Sequence, residues 1–187
     1  MADFKTSYAI LAKNEGGYTV DNGGETYKGI SRKGWHKWNG WPLIDEYKRK
    51  FGRLRKGQFI NSPAIDAAVL EFYRKNYWQV IMGDYIKNQQ IANFIFDYYV
   101  NSNGAMIVIN KGLGARVTRS INEDSLKIIN ERPAFAYQVI YNARKNNYTN
   151  LSKNPALTKY AREWFARLDR FPKQISTFSF DPYSFNA

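Results

Sequence analysis

The sequence predicts a mainly α fold, and three observations support this prediction. Apolar residues recur at helical spacing over most of the chain, whereas the period-two alternation typical of strands is scarce. With 187 residues, of which 44% are hydrophobic and 17% aromatic, the chain is long enough to bury a sizeable core. No internal repeat or low-complexity linker divides it into halves. We therefore expect one domain, or one domain with a closely packed helical appendix.

The first predicted helix begins after Asp3, a candidate N-cap, and ends at the two glycines Gly16 and Gly17. Glu15 is therefore expected at the end of this helix. The glycine-rich stretch that follows, residues 18–30, predicts a loop or a short β-like excursion. Glycines next to an acid leave room for a bulky substrate to lie directly against the backbone.

The middle of the chain contains three Trp within residues 35–41, which predicts either a packed corner or a platform for sugar rings. A short basic helix follows and ends near Gly52. Apolar periodicity, Pro at helix starts and Asn or Gly at helix ends predict the later helices. These run over residues 63–83, 86–101, 105–113, 123–130, 133–146 and 155–168. The tail, 171–187, is predicted to be extended and to pack across the body.

Charge and composition exclude several classes of function. Lys and Arg total 28 against 16 Asp and Glu, so the formal net charge of +12 predicts attraction to a polyanion. The absence of Cys removes disulfides and thiolate chemistry, and the single His36 argues against a histidine-dependent triad or a multi-histidine metal site. We expect no metal and no cofactor. No apolar run approaches the length of a membrane span.

Four residues near the N-terminus carry the groups that hydrolysis of a glycosidic bond requires. One carboxyl must donate a proton to the leaving oxygen, and Glu15 is the candidate for this general acid. A second group must attack the sugar or activate a water molecule. Asp21, Glu25 and the hydroxyl of Thr26 are the candidates for this role in the same segment.

Each of these candidates also has a purely structural interpretation. Glu15 before two glycines is compatible with a solvated helix end, and Asp21 before Asn-Gly is typical of an Asx turn. Glu25 could form a cap or pair with a lysine, and Thr26 could simply be buried. The residue types alone leave both interpretations open.

Two separate motifs resemble those of glycoside hydrolase family 108. Residues 14–18, Asn-Glu-Gly-Gly-Tyr, together with the glycine-rich stretch 23–31, closely resemble the family's signature of a glutamate followed by two glycines and a tyrosine. Residues 96–104 are similar to the family's Asp-x-x-x-Asn-Ser-Gly helix end, although an extra Asn103 precedes the glycine here. Members of this family are bacterial and phage lysozyme-like N-acetylmuramidases, some of them described as secretion activator proteins.

The resemblance implies a lysozyme-like helical domain over residues 1–104, with Glu15 as the general acid. Such an enzyme cleaves the β-1,4 bond between N-acetylmuramic acid and N-acetylglucosamine in peptidoglycan. The resemblance also implies residues that contact the substrate, for which the candidates are Tyr18, Tyr27, Asp97 and Asn101. For Asp97 and Asn101 the alternative is a hydrogen-bond network at the end of a helix.

The remaining segment, residues 105–187, is predicted to be helical and packed on the first domain. Family members often continue into a predicted peptidoglycan-binding segment with an Asp-Gly and Gly-Pro-x-Thr pattern. Residues 112–126 keep helix-forming character but lack this pattern.

We expect peptidoglycan as the partner, no specific nucleic acid, and a monomer. The start of the chain lacks a basic leader with an apolar run, so we expect synthesis in the cytoplasm without a Sec signal. Action in the periplasm or cell wall then requires release through a holin-like or other route, as for an endolysin or a secretion helper.

Three alternative functions remain open from the sequence. A lytic transglycosylase would use one glutamate without an essential second carboxylate and would form an anhydro product. A nucleic-acid-binding module is supported by the basic runs 48–50 and 53–56, although a solvated helical face explains them equally well. A protein that has lost hydrolysis and only binds wall is disfavoured by the intact Glu15.

Overall fold

The computed structural model describes residues 1–13, 15–21 and 23–175. It is mainly helical with one small antiparallel sheet, which confirms the predicted fold class. The helices are α1 (Phe4–Ala12), α2 (Gly40–Phe51), α3 (Pro63–Tyr73), α4 (Gln89–Asn101), α5 (Ala105–Gly112), α6 (Glu123–Glu131), α7 (Pro133–Ser152) and α8 (Ala161–Leu168). The strands are β1 (Tyr18–Asp21), β2 (Gly24–Tyr27) and β3 (Ile30–Ser31). Across the described ranges, no helix combines the length and apolar character of a membrane span.

The chain forms two compact units. The sheet unit comprises Phe4–Gln79, and the helical unit comprises Met1–Asp3 with the chain from Val80 onward. A functional division into a catalytic part, 1–104, and a wall-binding part, 105–187, stays a prediction.

Helix α1 is shorter than the sequence predicts. It ends at Ala12, and the backbone amide of Glu15 still donates to the Ala12 carbonyl at 3.3 Å. Glu15 therefore lies just beyond the helix, on the segment that leads into β1. Helix α3 begins as predicted, with Ser62 as its N-cap and Pro63 in its first turn, and it continues as a π-helical turn, Arg74–Trp78.

The three tryptophans before and within α2 divide into two roles. Trp38 and Trp41 are buried and stack edge to face at 5.2 Å, and their indole N–H groups donate to the Ala68 and Trp35 carbonyls. Trp35 is 41% exposed and lines a cavity of about 480 Å³. The segment is thus a packed corner with one exposed ring.

Helix α7 is the longest helix of the helical unit and packs against α4, α5, α6 and α8. Helix α4 starts three residues later than predicted because Asn88 caps it, accepting from the amides of Gln90 and Ile91. The start of the predicted tail packs within this unit, since the Tyr137 hydroxyl donates to the Pro172 carbonyl at 2.6 Å. The tail from residue 176 lies outside the described residues.

Candidate active site

The three-stranded sheet orders the candidate residues of the sheet unit. Its order is β1-β2-β3, with Thr19 opposite Thr26 on the first pair and Thr26 opposite Ser31 on the second. Because side chains alternate along a strand, these three hydroxyl residues share one face. Tyr18 and Tyr27, which are also paired, share the other face.

The two candidate second carboxylates fall on opposite faces of this sheet. Asp21 is two residues from Thr19 on β1, so it lies on the face that carries Thr26. Glu25 lies opposite Val20 and is two residues from Tyr27, so it belongs to the tyrosine face. The register therefore groups Asp21 with Thr26 and separates both from Glu25.

The Glu15 carboxylate packs directly against the backbone of Gly29, in the turn between β2 and β3. A Cβ added at Gly29 would collide with Glu15 Oε2 and would lie 2.6 Å from the Tyr73 hydroxyl oxygen. Gly29 also has a φ of +78°, which favours glycine. The Tyr73 hydroxyl in turn donates to the Lys28 carbonyl at 2.7 Å. The turn, the glutamate and Tyr73 thus form one closely fitted group.

The ring of Tyr8, on helix α1, lies beside this group. The Tyr8 ring lies 5.3 Å from the Tyr73 ring, centroid to centroid. Burial raises the pKa of the Tyr8 hydroxyl far above its ordinary value, and the negative charges of Asp66 and Glu15 raise it further. Glu15 is itself half-buried. Its carboxylate therefore lies in partly desolvated surroundings within electrostatic range of Tyr8.

Glu25 is the centre of an ion-pair cluster. Lys48 Nζ donates to its Oε1 at 2.6 Å, Arg32 Nη1 to its Oε2 at 2.7 Å, and the Tyr18 hydroxyl to its Oε1 at 2.7 Å. Arg32 and Lys48 also bind Asp45. Burial raises the pKa of Glu25, but the hydrogen bonds from Lys48, Arg32 and Tyr18 outweigh it, and the resulting pKa is below the ordinary value. Glu25 thus forms the ion pair with a lysine that was one of its structural interpretations, and both of its carboxylate oxygens accept hydrogen bonds.

Asp21 and Thr26 are more accessible to a substrate. Asp21 is exposed, and its Oδ1 accepts from the Gly23 amide at 2.7 Å, which is the hydrogen bond of an Asx turn. Within the described part of the chain, Asp21 Oδ2 makes no hydrogen bond or ion pair. Thr26 is half-buried in the middle of β2. A carboxylate oxygen and a hydroxyl on one sheet face are thus available for a water molecule.

The two candidate substrate tyrosines are largely packed into the protein. Tyr27 has no exposed surface, and its hydroxyl oxygen accepts from the Ile60 amide at 3.1 Å. Tyr18 is 8% exposed and donates to Glu25, as described above. These contacts give both rings a structural role, and direct contact with substrate stays a prediction for them.

Asp97 and Asn101 lie on α4, in the helical unit. Asp97 is 2% exposed, and its two carboxylate oxygens accept from Arg144 Nη2 at 2.7 Å and Arg167 Nε at 2.8 Å. The exposed Asn101 donates to the Asp97 carbonyl at 2.7 Å. Asp97 and Asn101 thus take part in the hydrogen-bond network that the sequence left open as the alternative to substrate contact. Contact with substrate stays a prediction for both residues.

Sequence reasoning missed three residues of the Glu15 group. Gly29 lies in the glycine-rich stretch 23–31. A glycine in a predicted loop was a signal that another group packs closely against the backbone there. Tyr8 and Tyr73 carry no local signal, because their apolar spacing on α1 and α3 is equally typical of core residues. In the described residues, no group of three or more His, Asp or Glu side chains is arranged to hold a metal ion.

Comparisons with known proteins agree with this architecture. The family profile described as glycosyl hydrolase 108 matches residues 8–103, just over half of the chain. The solved structure of SagA from Brucella abortus is similar, with a TM-score of 0.60 and 20% sequence identity over 90% of both chains. At this identity the likeness shows a shared fold. No curated protein matches the chain.

Proposed function

Since this chain belongs to the glycosyl hydrolase 108 family, we propose that it is an N-acetylmuramidase with Glu15 as its general acid. Family membership implies glycosidase activity on peptidoglycan. The proposed bond is the β-1,4 linkage between N-acetylmuramic acid and N-acetylglucosamine. The observation that carries the assignment of Glu15 is its carboxylate packed against Gly29 and beside the Tyr73 hydroxyl.

This placement suits a proton donor for two reasons. A general acid must be held within hydrogen-bond reach of the leaving oxygen, and the close fit at Gly29 limits the positions that the Glu15 carboxylate can take. The acid must also be protonated before it reacts, and partial burial among tyrosines limits its contact with water. In the proposed step, the Glu15 proton passes to the glycosidic oxygen as the bond from that oxygen to C1 breaks.

We propose that Asp21 and Thr26 act on the water that adds to C1. Their common sheet face and the available Asp21 Oδ2 support this assignment. As the water oxygen bonds to C1, Asp21 accepts a proton and Thr26 orients the water. Glu25 is less suited, because three donors occupy its carboxylate. Glu25 instead holds β2 to α2 through Lys48.

The proposed site of action is the cell wall or periplasm, reached after release from the cytoplasm. The net charge of +12 supports this proposal, because peptidoglycan peptides carry carboxylates that attract a basic enzyme. Such long-range attraction is screened by salt.

The test is digestion of purified peptidoglycan by the wild type and by Glu15→Gln, with the products analysed by mass spectrometry. We expect reducing N-acetylmuramic acid ends from the wild type and at least ~100-fold less product from Glu15→Gln. The exposed Glu131→Gln, which makes the same chemical change on α6, should retain full activity. Anhydro ends would identify a transglycosylase, and an active Glu15→Gln would exclude Glu15 as the acid.

A further inference from the structure

The loop after α2 carries three exposed cations, Arg53, Arg55 and Lys56. All three line a cavity of about 580 Å³. Within the described ranges none of the three forms an ion pair with a carboxylate. Like charges held close together repel, so this arrangement favours an anion supplied from outside.

Two neighbouring cations on α2, Lys48 and Lys50, differ in this respect. Lys48 binds Glu25 and Asp45, and Lys50 binds Glu46 at 2.7 Å. Residues 47–59 include six basic residues and no acidic residue. Lys48 and Lys50 on the helix are thus paired within the protein. In the described residues the three loop cations, like the exposed Arg49 on α2, form no ion pair, so their charge is available to a ligand.

The loop that presents these cations is anchored at its far end. The Gly57 amide donates to the Tyr18 carbonyl at 2.7 Å, and the Tyr18 amide donates to the Gln58 carbonyl at 2.8 Å. The Gln58 side chain accepts from the Arg55 amide at 2.9 Å. The loop is thus hydrogen-bonded to the edge of β1, which reduces the entropy lost when its side chains bind a ligand.

An exposed aromatic ring borders the same cavity. Phe51, the last residue of α2, is 70% exposed and lines the cavity, and its ring lies 4.7 Å from the Tyr47 ring between centroids. An exposed aromatic ring beside several cations is the combination that binds the interface of an anionic bilayer. The ring enters the headgroup region while the cations contact lipid phosphates.

We propose that Phe51, Arg53, Arg55 and Lys56, here called the basic loop, bind the surface of phosphate-bearing anionic lipid bilayers. This surface would hold the protein at a membrane independently of cleavage by Glu15. One aromatic ring among the described residues that line this cavity favours lipid over single-stranded nucleic acid, because proteins that bind single strands stack successive bases on several rings.

The experiment measures partition of the whole protein onto phosphatidylcholine vesicles with and without phosphatidylglycerol. The test variant is Arg53→Gln/Arg55→Gln/Lys56→Gln. The control is Lys111→Gln/Lys127→Gln/Arg162→Gln, which removes the same charge from exposed positions on three other helices. Both variants are first checked by circular dichroism and by activity on peptidoglycan, and we expect the same fold and the same activity in the two because they carry the same net charge.

We expect the loop variant to bind phosphatidylglycerol vesicles about 100-fold more weakly than the wild type, at about fivefold per cation. Phe51→Ser should weaken binding about tenfold, because the ring leaves the interface. The control variant should bind substantially more tightly than the loop variant, and high salt should weaken the wild type.

Equal losses in the loop and control variants would overturn the proposal, because binding would then follow net charge alone. Wild-type binding that is independent of phosphatidylglycerol would also overturn it. A labelled single-stranded DNA provides the third comparison. If the loop variant loses DNA binding but retains vesicle binding, the loop is a nucleic-acid site and the proposal is wrong.

Discussion

The carboxylate of Glu15 lies so close to the α-carbon of Gly29 that a Cβ added to Gly29 would collide with it. The two residues are far enough apart in sequence to belong to different segments, and the turn between β2 and β3 brings them together. The position of the proposed acid therefore depends on the shape of that turn. Perturbing the turn should affect catalysis without changing the glutamate itself.

Gly29→Ala should lower both stability and activity. The added methyl group would collide with Glu15 and Tyr73 at a φ of +78°, so we expect about 1–3 kcal/mol of lost unfolding free energy and at least ~10-fold less peptidoglycan cleavage. Gly114→Ala is the matched control, since Gly114 also has a positive φ, +71°, but nothing lies within 4 Å of its added Cβ. Urea unfolding and digestion assays measure both quantities. Equal behaviour of the two variants would contradict the close fit at Gly29.

Glu25→Gln should make the protein less stable at neutral pH and less sensitive to acid. The folded pKa of Glu25 is lowered, so its stabilisation is present above about pH 4.5 and is lost as the pH falls towards the folded pKa. We expect a loss of about 1–3 kcal/mol at pH 7 that shrinks at acid pH, measured by urea unfolding at both pH values. The pKa of Asp45 is also lowered, above all by hydrogen bonds from Arg32. Wild type and variant should therefore both lose further unfolding free energy as the pH falls towards the folded pKa of Asp45.

The exposed Glu46 provides the control for Glu25. It pairs with Lys50 on the surface of α2, where ion pairs contribute little. Glu46→Gln should therefore change neither the unfolding curve nor its pH dependence appreciably. A Glu25→Gln variant as stable as Glu46→Gln would contradict the assigned role of the cluster.

Thr26→Val should lower the cleavage rate about tenfold while the protein remains folded, because the isosteric change removes the hydroxyl proposed to orient water. Thr19→Val makes the same change directly opposite on β1 and should have a smaller effect. Initial rates of peptidoglycan digestion measure the difference. If both variants are fully active, Thr26 does not position the water, and Asp21→Asn then tests the remaining candidate on this face.

Asp97→Asn should destabilise the protein by about 3 kcal/mol, because it breaks a buried ion pair and leaves Arg144 without its charged partner. Activity per folded molecule should change little if Asp97 only holds the network. Asp169→Asn, at an exposed position after α8, should be nearly neutral. A stable Asp97→Asn protein with strongly reduced cleavage would instead support contact with substrate.

The helices could be predicted well because their signals are local. Ser62 and Pro63 mark the start of α3 within two residues, and apolar spacing carries each helix onward. Boundaries were less accurate at the end of α1, which stops at Ala12, and at the start of α4, where Asn88 caps the helix. The stretch 18–30 was expected to be a loop or a β-like excursion. With Ser31 it forms a short three-stranded sheet, and Gly24 and Gly29 take the positive φ values that its tight turns require.

By itself, the sequence determined the mainly α class and the family, and the resemblance to the family motif made Glu15 the candidate acid. Only the tertiary structure decided which carboxylates form ion pairs, because their basic partners are distant in sequence. Glu25 meets Lys48 across 23 positions, and Asp97 meets Arg144 and Arg167 across 47 and 70. Local propensity sets helices and turns, whereas ion pairs of this kind form only when packing brings the charges into contact.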